Sequence, residues 1–326
     1  MRGDNILLEV RDLRKYFDVT DGVLGRVKLR AVSGISFALL RGEVLGLVGE
    51  SGSGKSTAGR TLLHLYPPSG GEVIFDGERI DTAASIARLR RRCAMVFQDP
   101  YSSLNPRMTV ADIIAEPLDI HKLYSSAAER REKVLSLLAE VGLSSEHASR
   151  YAHEFSGGQR QRIGIARAIS GGPELIVADE PVSALDVSVQ ADIINMFERL
   201  RDSLGLTYIF IAHDLLVVRH ISDRIAVMYL GKIVELAATE ELFSKPLHPY
   251  TKILLSAVPI PDPKEAAKAV RITPTGEIPS PLNIPGGCPF HTRCPYVRDV
   301  CRNTTPVYRE FGRGHFAACH RVEEIN

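Results

Sequence analysis

Short apolar runs without polar alternation punctuate the first 240 residues: VLGLVG at 44–49, ELIVADE at 174–180 and YIFIAHD at 208–214. Runs of this length, bounded by Gly, Pro and charge, suit strands buried on both faces, as in a parallel sheet covered by helices. Other segments alternate. EVRDLRKYF at 9–17 and GISFALL at 34–40 predict an antiparallel flank, and RIAVMYLGKIVEL at 224–236 predicts a hairpin turning at Gly231. Between about 100 and 165 the period changes to that of helices: Val134, Leu137, Leu138 and Val141 follow the i, i+3, i+4, i+7 rule. Ser126 and Glu129 have capping-box spacing, and Gly142 is placed to end that helix. Beyond about 255 the chain becomes Pro-dense, as in PIPDP and EIPSPLNIP, which suits a linker or wrapping segment and neither a helix nor a central strand. The pattern therefore divides the chain into 1–255, carrying a helical insertion at about 100–165, and 256–326.

Composition adds exclusions. The 326 residues carry 40 Lys and Arg against 39 Asp and Glu, with 44% hydrophobic residues, which describes a folded protein and argues against disorder. A net charge of +1 also argues against a nucleic-acid partner. No run approaches the roughly 18 to 20 apolar residues of a membrane helix, and MRGDNILLEV lacks the pattern of a secretory signal. The expected location is the cytoplasm, with any membrane contact made through partners. The Cys distribution is uneven: Cys93 stands alone in the first 287 residues, and Cys288, Cys294, Cys301 and Cys319 cluster near the end.

The candidate chemistry starts at Gly49. GESGSGKST fits G-x-x-x-x-G-K-[ST] and joins a predicted strand to a predicted helix. Gly49, Gly52 and Gly54 permit a tight concave turn whose N–H groups cradle phosphate, with Glu50, Ser51 and Ser53 between them. Lys55 supplies a point charge to the outer phosphates, the Ser56 hydroxyl can ligate Mg2+, and Thr57 completes the motif. Asp179 and Glu180 end the apolar run LIVADE. The first can hold Mg2+ through water, and the second can polarise the water that attacks the terminal phosphate. Together the two motifs specify a P-loop nucleotide hydrolase, a description many unrelated families share.

At 156 the chain reads SGGQRQRIGIARAI, and here it resembles the ABC transporter ATPases, whose signature is LSGGQ; Phe155 replaces the Leu. Ser156, Gly157, Gly158 and Gln159 open a helix and so form a second anion site. In the resembling family that site closes on ATP held by a partner subunit. The resemblance also implies roles for other residues. Gln98 in VFQDP matches the glutamine that touches Mg2+ and the attacking water. Ser183 to Asp186 match the loop linking the two sites of the dimer, with Asp186 beside the nucleotide, and His213 in IAHD matches the switch histidine on the terminal phosphate. Phe17 matches the aromatic that stacks on adenine, with Tyr16 as the alternative. The implied fold is α/β: a P-loop, RecA-like ABC ATPase core with an antiparallel β flank, a helical insertion and a small Cys-rich C-terminal extension.

HPYTKILLSAVPIPDP at 248–263 and GEIPSPLNIPGGCPFHTRCPY at 276–296 resemble the C-terminal region of oligopeptide/dipeptide transporter ATPases. ESGSGKSTAGRTLL, VFQDPYSSLNPRMTV and DEPVSALDVSVQ are worded more like the F-type than the D-type subunit of those systems. Spacers of five, six and seventeen residues between the four late Cys are looser than zinc knuckles. In a reducing compartment four such thiols suggest a metal centre, [4Fe-4S] by the subfamily resemblance, with zinc the competitor. His291 and His320 lie beside them as bystanders or as one zinc ligand, whereas Cys93 reads as a plain buried residue. The partners implied are a related ABC ATPase subunit in a heterodimer, or a homodimer in isolation, and two transmembrane permeases at the cytoplasmic face. A substrate-binding protein would contact the assembly only indirectly. The implied cargo is peptide. Oligosaccharides or metal complexes remain alternatives, as does a soluble ABC ATPase serving translation or DNA repair.

Overall fold

A computed structural model describes residues 5–21, 25–258, 272–274 and 276–325. The chain divides into two compact units. The first comprises Met1–Leu8, Leu39–Val44 and Ile74–Ile211, and the second Glu9–Ala38, Leu45–Val73 and Ala212–Asn326. In chain order the strands are β1 (Ile6–Asp21), β2 (Gly25–Leu40), β3 (Val44–Val48), β4 (Gly70–Phe75), β5 (Glu78–Arg79) and β6 (Cys93–Val96). β7 (Leu175–Asp179), β8 (Thr207–Ala212), β9 (Arg224–Tyr229), β10 (Lys232–Ala238), β11 (Arg309–Glu310) and β12 (Phe316–Ala317) follow. The runs at 44–49, 174–180 and 208–214 become β3, β7 and β8, each buried along its full length.

In the first unit β6, β7 and β8 are parallel, with Cys93 opposite Leu175 and Leu175 opposite Thr207. Parallel strands covered on both faces have no polar side to present, which is why these runs do not alternate. The helices Val110–His121, Ala127–Glu140 and Gly157–Ser170 occupy the segment that shows helical periodicity. Val134, Leu138 and Val141 are at most 2% exposed. Gly142 has φ 70°, and the N–H groups of Gly142 and Leu143 donate to Ala139 O and Leu138 O, closing the helix end as its sequence predicts. The start differs in detail. Ser126 Oγ accepts from Glu129 N–H, but the Glu129 carboxylate reaches Ser125, at 2.7 Å to N–H and 2.6 Å to the hydroxyl. The reciprocal bond thus falls one residue before the expected cap.

In the second unit β3 runs parallel to β9, with Leu45 opposite Arg224, and β9 pairs antiparallel with β10. The hairpin turns where it is expected. Leu230 and Gly231 have φ of 42° and 80°, two successive left-handed residues that match the twist of the flanking strands. β1, β2 and β4 lie chiefly in this unit, ordered β2-β1-β4; β5 and the residues it pairs with, Ile74 opposite Arg79, belong to the first unit.

Described residues of the C-terminal segment add strands to this unit. β12 pairs with β10, Leu236 opposite Phe316, and β11 pairs with β12, so the tail widens the same sheet. Leu247, Ala317 and Val322 form its core, with Phe311 and Cys319 against them. Residues 276–298 contain no helix or strand, as their Pro content predicts; 259–271, which include PIPDP, lie outside the described residues.

A buried polar cluster pins the tail. Glu235, fully buried on β10, accepts from Leu247 N–H at 2.7 Å, from His248 N–H at 2.8 Å and from His315 Nε2 at 2.8 Å. His315 Nδ1 lies 3.3 Å from Glu241 of the helix Thr239–Ser244. Burial pulls the His315 imidazole down, but hydrogen bonds to Glu235 and then Glu241 outweigh it, so it titrates above its ordinary value. The Glu235 charge also acts on Lys252 and Tyr308, and His248, pushed down to about 4 by burial, is neutral beside it. A raised folded-state value means that the stabilisation is complete below the unfolded value of about 6.5 and is lost as pH climbs through the folded one. Thermal stability should therefore fall as pH rises above about 6.5, and His315→Ala should flatten that dependence. At pH 6 the variant should cost about 2 kcal/mol, because Glu235 is left short of a donor. Melting curves of both proteins across this range check it.

Candidate active site

The glycine-rich loop 49–57, predicted to cradle phosphate, belongs to the second unit, between β3 and the helix Lys55–Leu62. Gly54 caps that helix with φ 101°, and a Cβ there would meet Ala31 O at 2.1 Å, so only glycine fits. No side chain caps the helix, which leaves its positive end facing the loop's concavity. Lys55 is 4% exposed, and its Nζ donates to Gly49 O at 2.8 Å and Glu50 O at 3.1 Å. The loop is closed by Ser53 N–H to Glu50 O at 3.2 Å and by Gly231 N–H to Ser53 O at 2.8 Å. Ser51 and Gly52 are exposed at its tip, and Ser56 and Thr57 are half-buried on the first helical turn. Phe17, half-buried, packs edge-on to Tyr66 at 5.4 Å with Lys15 Nζ 4.8 Å from its ring centre. His213, just beyond β8, is exposed.

Gln98, Asp179, Glu180, Asp186 and the signature residues belong to the first unit. Asp179 is fully buried at the end of β7. Glu180 follows at φ 46°, a left-handed backbone uncommon for a side-chain-bearing residue. Its N–H donates to Ile211 O at 3.0 Å, and its O accepts from Ser183 Oγ at 3.1 Å. Gln98 Nε2 donates to Glu180 Oε2 at 3.0 Å, so two sequence-predicted residues 82 positions apart meet directly. Asp186 is exposed at the N-cap of Val187–Leu204. Ser156 Oγ accepts from Gln159 N–H while Gln159 Oε1 accepts from Ser156 N–H, a reciprocal cap at the start of Gly157–Ser170. A Cβ on Gly158 would lie 2.6 Å from Val189 Cγ1, which explains the small residue on this turn.

Cys288, Cys294, Cys301 and Cys319 all line one pocket in the second unit, with His291 and His320 at its wall. Burial pushes the Cys288 thiol up to about 12 and Cys294 to about 11, and raises Cys319. Among the described residues no group of three or more His, Cys, Asp or Glu is arranged to hold a metal ion. The expected metal centre is thus present as a convergence of four thiols and absent as ligand geometry. His291 Nδ1 lies 2.9 Å from Cys288 O and His320 Nε2 2.9 Å from Thr304 O, which occupies a ring nitrogen of each. Cys93 opens β6 half-buried, and burial raises its thiol.

Comparison with known proteins decides the family. A profile for the ABC transporters matches residues 32–183, and one for the oligopeptide/dipeptide transporter C-terminal region matches 234–301. The oligopeptide transport ATP-binding protein AppF of Bacillus subtilis is 54% identical over 96% of this chain and 97% of its own length. The chain belongs to the oligopeptide/dipeptide branch of the ABC transporter ATP-binding subunits. A putative peptide import ATP-binding protein of Brucella ovis is 51% identical over 97% of this chain and 98% of that one. Among solved structures, the ATP-binding cassette MJ0796, a dimer in a post-hydrolysis state bound to ADP and Pi, superposes with a TM-score of 0.64. It is 27% identical, over 72% of this chain and 99% of that one. The chemistry of this ABC subunit is ATP hydrolysis, and its fold is the α/β cassette with mixed sheets. No described helix is long and apolar enough to cross a membrane.

Three residues that sequence reasoning left without a specific role carry contacts here: Tyr250, Glu235 and Arg293. Tyr250 lies in the HPY segment, whose wording suggests only a subfamily, and the other two resemble ordinary charged residues until their burial is known.

Proposed function

We propose that this ABC subunit hydrolyses MgATP to drive uptake of dipeptides or oligopeptides through two transmembrane permeases, at the cytoplasmic face of the membrane. The observation that carries the reading is the match of both the cassette and the C-terminal region to peptide-transport subunits along nearly the whole chain. In this reading Lys55, Ser56 and the loop at 49–57 hold the phosphates and Mg2+, assisted by Asp179. Glu180 polarises the attacking water and Gln98 orients that carboxylate, a role supported by their direct hydrogen bond. His213 contacts the terminal phosphate and Phe17 the adenine, while Ser156 to Gln159 and Asp186 serve the nucleotide of a related ATPase subunit. The wording of the loop and of 96–110 favours the F-type member of a heterodimer. The same reading divides the chain into an ABC ATPase domain at 1–255, with its helical insertion at about 100–165, and a Pro-rich and Cys-rich C-terminal region at 256–326.

The same reading gives Cys288, Cys294, Cys301 and Cys319 to a [4Fe-4S] cluster, supported by the four thiols that line one pocket. When bound, such a group would cross-link the tail, and zinc is the competing occupant. Disrupting the gene should abolish uptake of labelled di- and oligopeptides while leaving sugar uptake intact. Loss of sugar or metal-complex uptake alone would replace the cargo assignment. Iron, sulfide and zinc analysis of anaerobically purified protein completes the test: zinc without sulfide would remove the cluster.

A further inference from the structure

Glu50 stands inside the phosphate loop, and both of its polar ends are held by the C-terminal part of the same unit. Its carboxylate accepts two bonds from Arg293, Nη1 to Oε2 at 2.8 Å and Nη2 to Oε1 at 3.2 Å. Its N–H donates to Tyr250 Oη at 2.9 Å. Neither partner is a surface group: the Arg293 side chain is 7% exposed and Tyr250 is fully buried. A guanidinium fork on a carboxylate fixes orientation as well as position, which a single point charge does not.

The clamp is itself rigid. The Tyr250 ring packs against Tyr229 at 4.7 Å and Phe290 at 5.3 Å between centroids. Arg293 N–H closes a turn on Phe290 O at 3.0 Å, and Cys288 N–H donates to Cys301 O at 2.8 Å. The turn that carries Arg293 is therefore bracketed by Cys288 and Cys294 and tied to Cys301. On the other side, the Gly49 and Glu50 carbonyls are the acceptors that aim Lys55 Nζ. A chain of direct contacts thus runs from the cysteine segment through Arg293 to Glu50 and on to Lys55.

We propose that Arg293 and Tyr250 are positioning residues of the phosphate loop, through which the cysteine-bearing tail sets the loop's affinity for MgATP. The inference rests on the assignment of 49–57 as the MgATP site. Two physical effects support it. Fixing Glu50 at both ends preorganises the loop, so less ordering cost falls on the nucleotide. Pairing also neutralises a carboxylate that would otherwise repel phosphate.

The test is equilibrium titration of the full-length protein with MgATP, combined with KM and kcat for ATP in the assembled transporter. R293A should weaken MgATP binding roughly tenfold and Y250F roughly threefold, with KM raised in proportion and kcat within twofold of the parent. R293K, which restores the charge without the fork, should recover part of the loss. E50Q added to R293A should recover more, because it removes the unpaired negative charge. Arg309→Ala, on an exposed tail pair with Glu323, serves as the control and should match the parent. Parent-like affinity in both R293A and Y250F while K55A has lost binding would overturn the proposal and leave the MgATP site standing. A parallel fall of affinity, kcat and melting temperature, without rescue by R293K or E50Q, would reduce the pair to a fold contact and also overturn it. Unchanged binding in K55A would remove the site assignment, and the proposal with it.

Discussion

Glu180→Gln should lower ATP turnover in the assembled transporter by about a thousandfold, a typical magnitude for removing a general base, the role proposed above for Glu180, while MgATP binding stays within a few-fold of the parent. The substitution is nearly isosteric. Gln98 Nε2 now donates to Glu180 Oε2 at 3.0 Å, and a carboxamide can present its own oxygen to the same donor. The left-handed backbone at φ 46° and the bond from Glu180 N–H to Ile211 O do not depend on the side chain. The carboxylate's ability to accept a proton from water is what disappears. Single-turnover and steady-state ATPase rates, with MgATP titration alongside, check both halves of the expectation. Turnover retained within tenfold would move the general base elsewhere.

Lys55→Ala should weaken MgATP binding by about a hundredfold, the scale expected when one member of a buried, hydrogen-bonded charge pair is truncated. Lys55 is 4% exposed and its Nζ donates to the Gly49 and Glu50 carbonyls, so its cation is already desolvated and aimed for the phosphate that the proposed function places in this loop. Such a charge acts in a low-dielectric site without the reorganisation a surface lysine requires. Fold stability should change by no more than about 1 kcal/mol, since removing a buried cation relieves its own desolvation. Titration with MgATP and a melting curve of the same preparation separate the two effects.

The elements that the sequence predicts are those whose signal is local. β3, β7 and β8 are legible because a strand buried on both faces has no polar position to spare, and the helix Ala127–Glu140 because its period, cap and terminal glycine agree. The hairpin at Gly231 is legible because only a glycine-tolerant turn reverses two apolar strands so tightly. The Glu129 cap is misplaced by one residue because Ser125 and Ser126 offer equivalent hydroxyls and amides, and side-chain reach decides between them.

The candidate site divides in the same way. The glycine-rich string 49–57, the adjacent carboxylates Asp179 and Glu180 and the SGGQ turn are legible in the sequence by itself, because each is a contiguous string whose backbone chemistry follows from residue types in order; the uneven cysteine distribution is legible from position alone. Only the tertiary structure decided that Gln98 donates to Glu180, that four cysteines face one pocket without a ligating arrangement, and that His315 pins the tail to Glu235. It also decided that Arg293, 243 residues from Glu50 along the chain, closes on that carboxylate. The physical reason is that a salt bridge or a shared pocket depends on burial and separation in space. A string of residue types carries neither quantity for positions that distant, whereas a glycine-rich loop or an amphipathic helix carries its own geometry within ten or twenty residues.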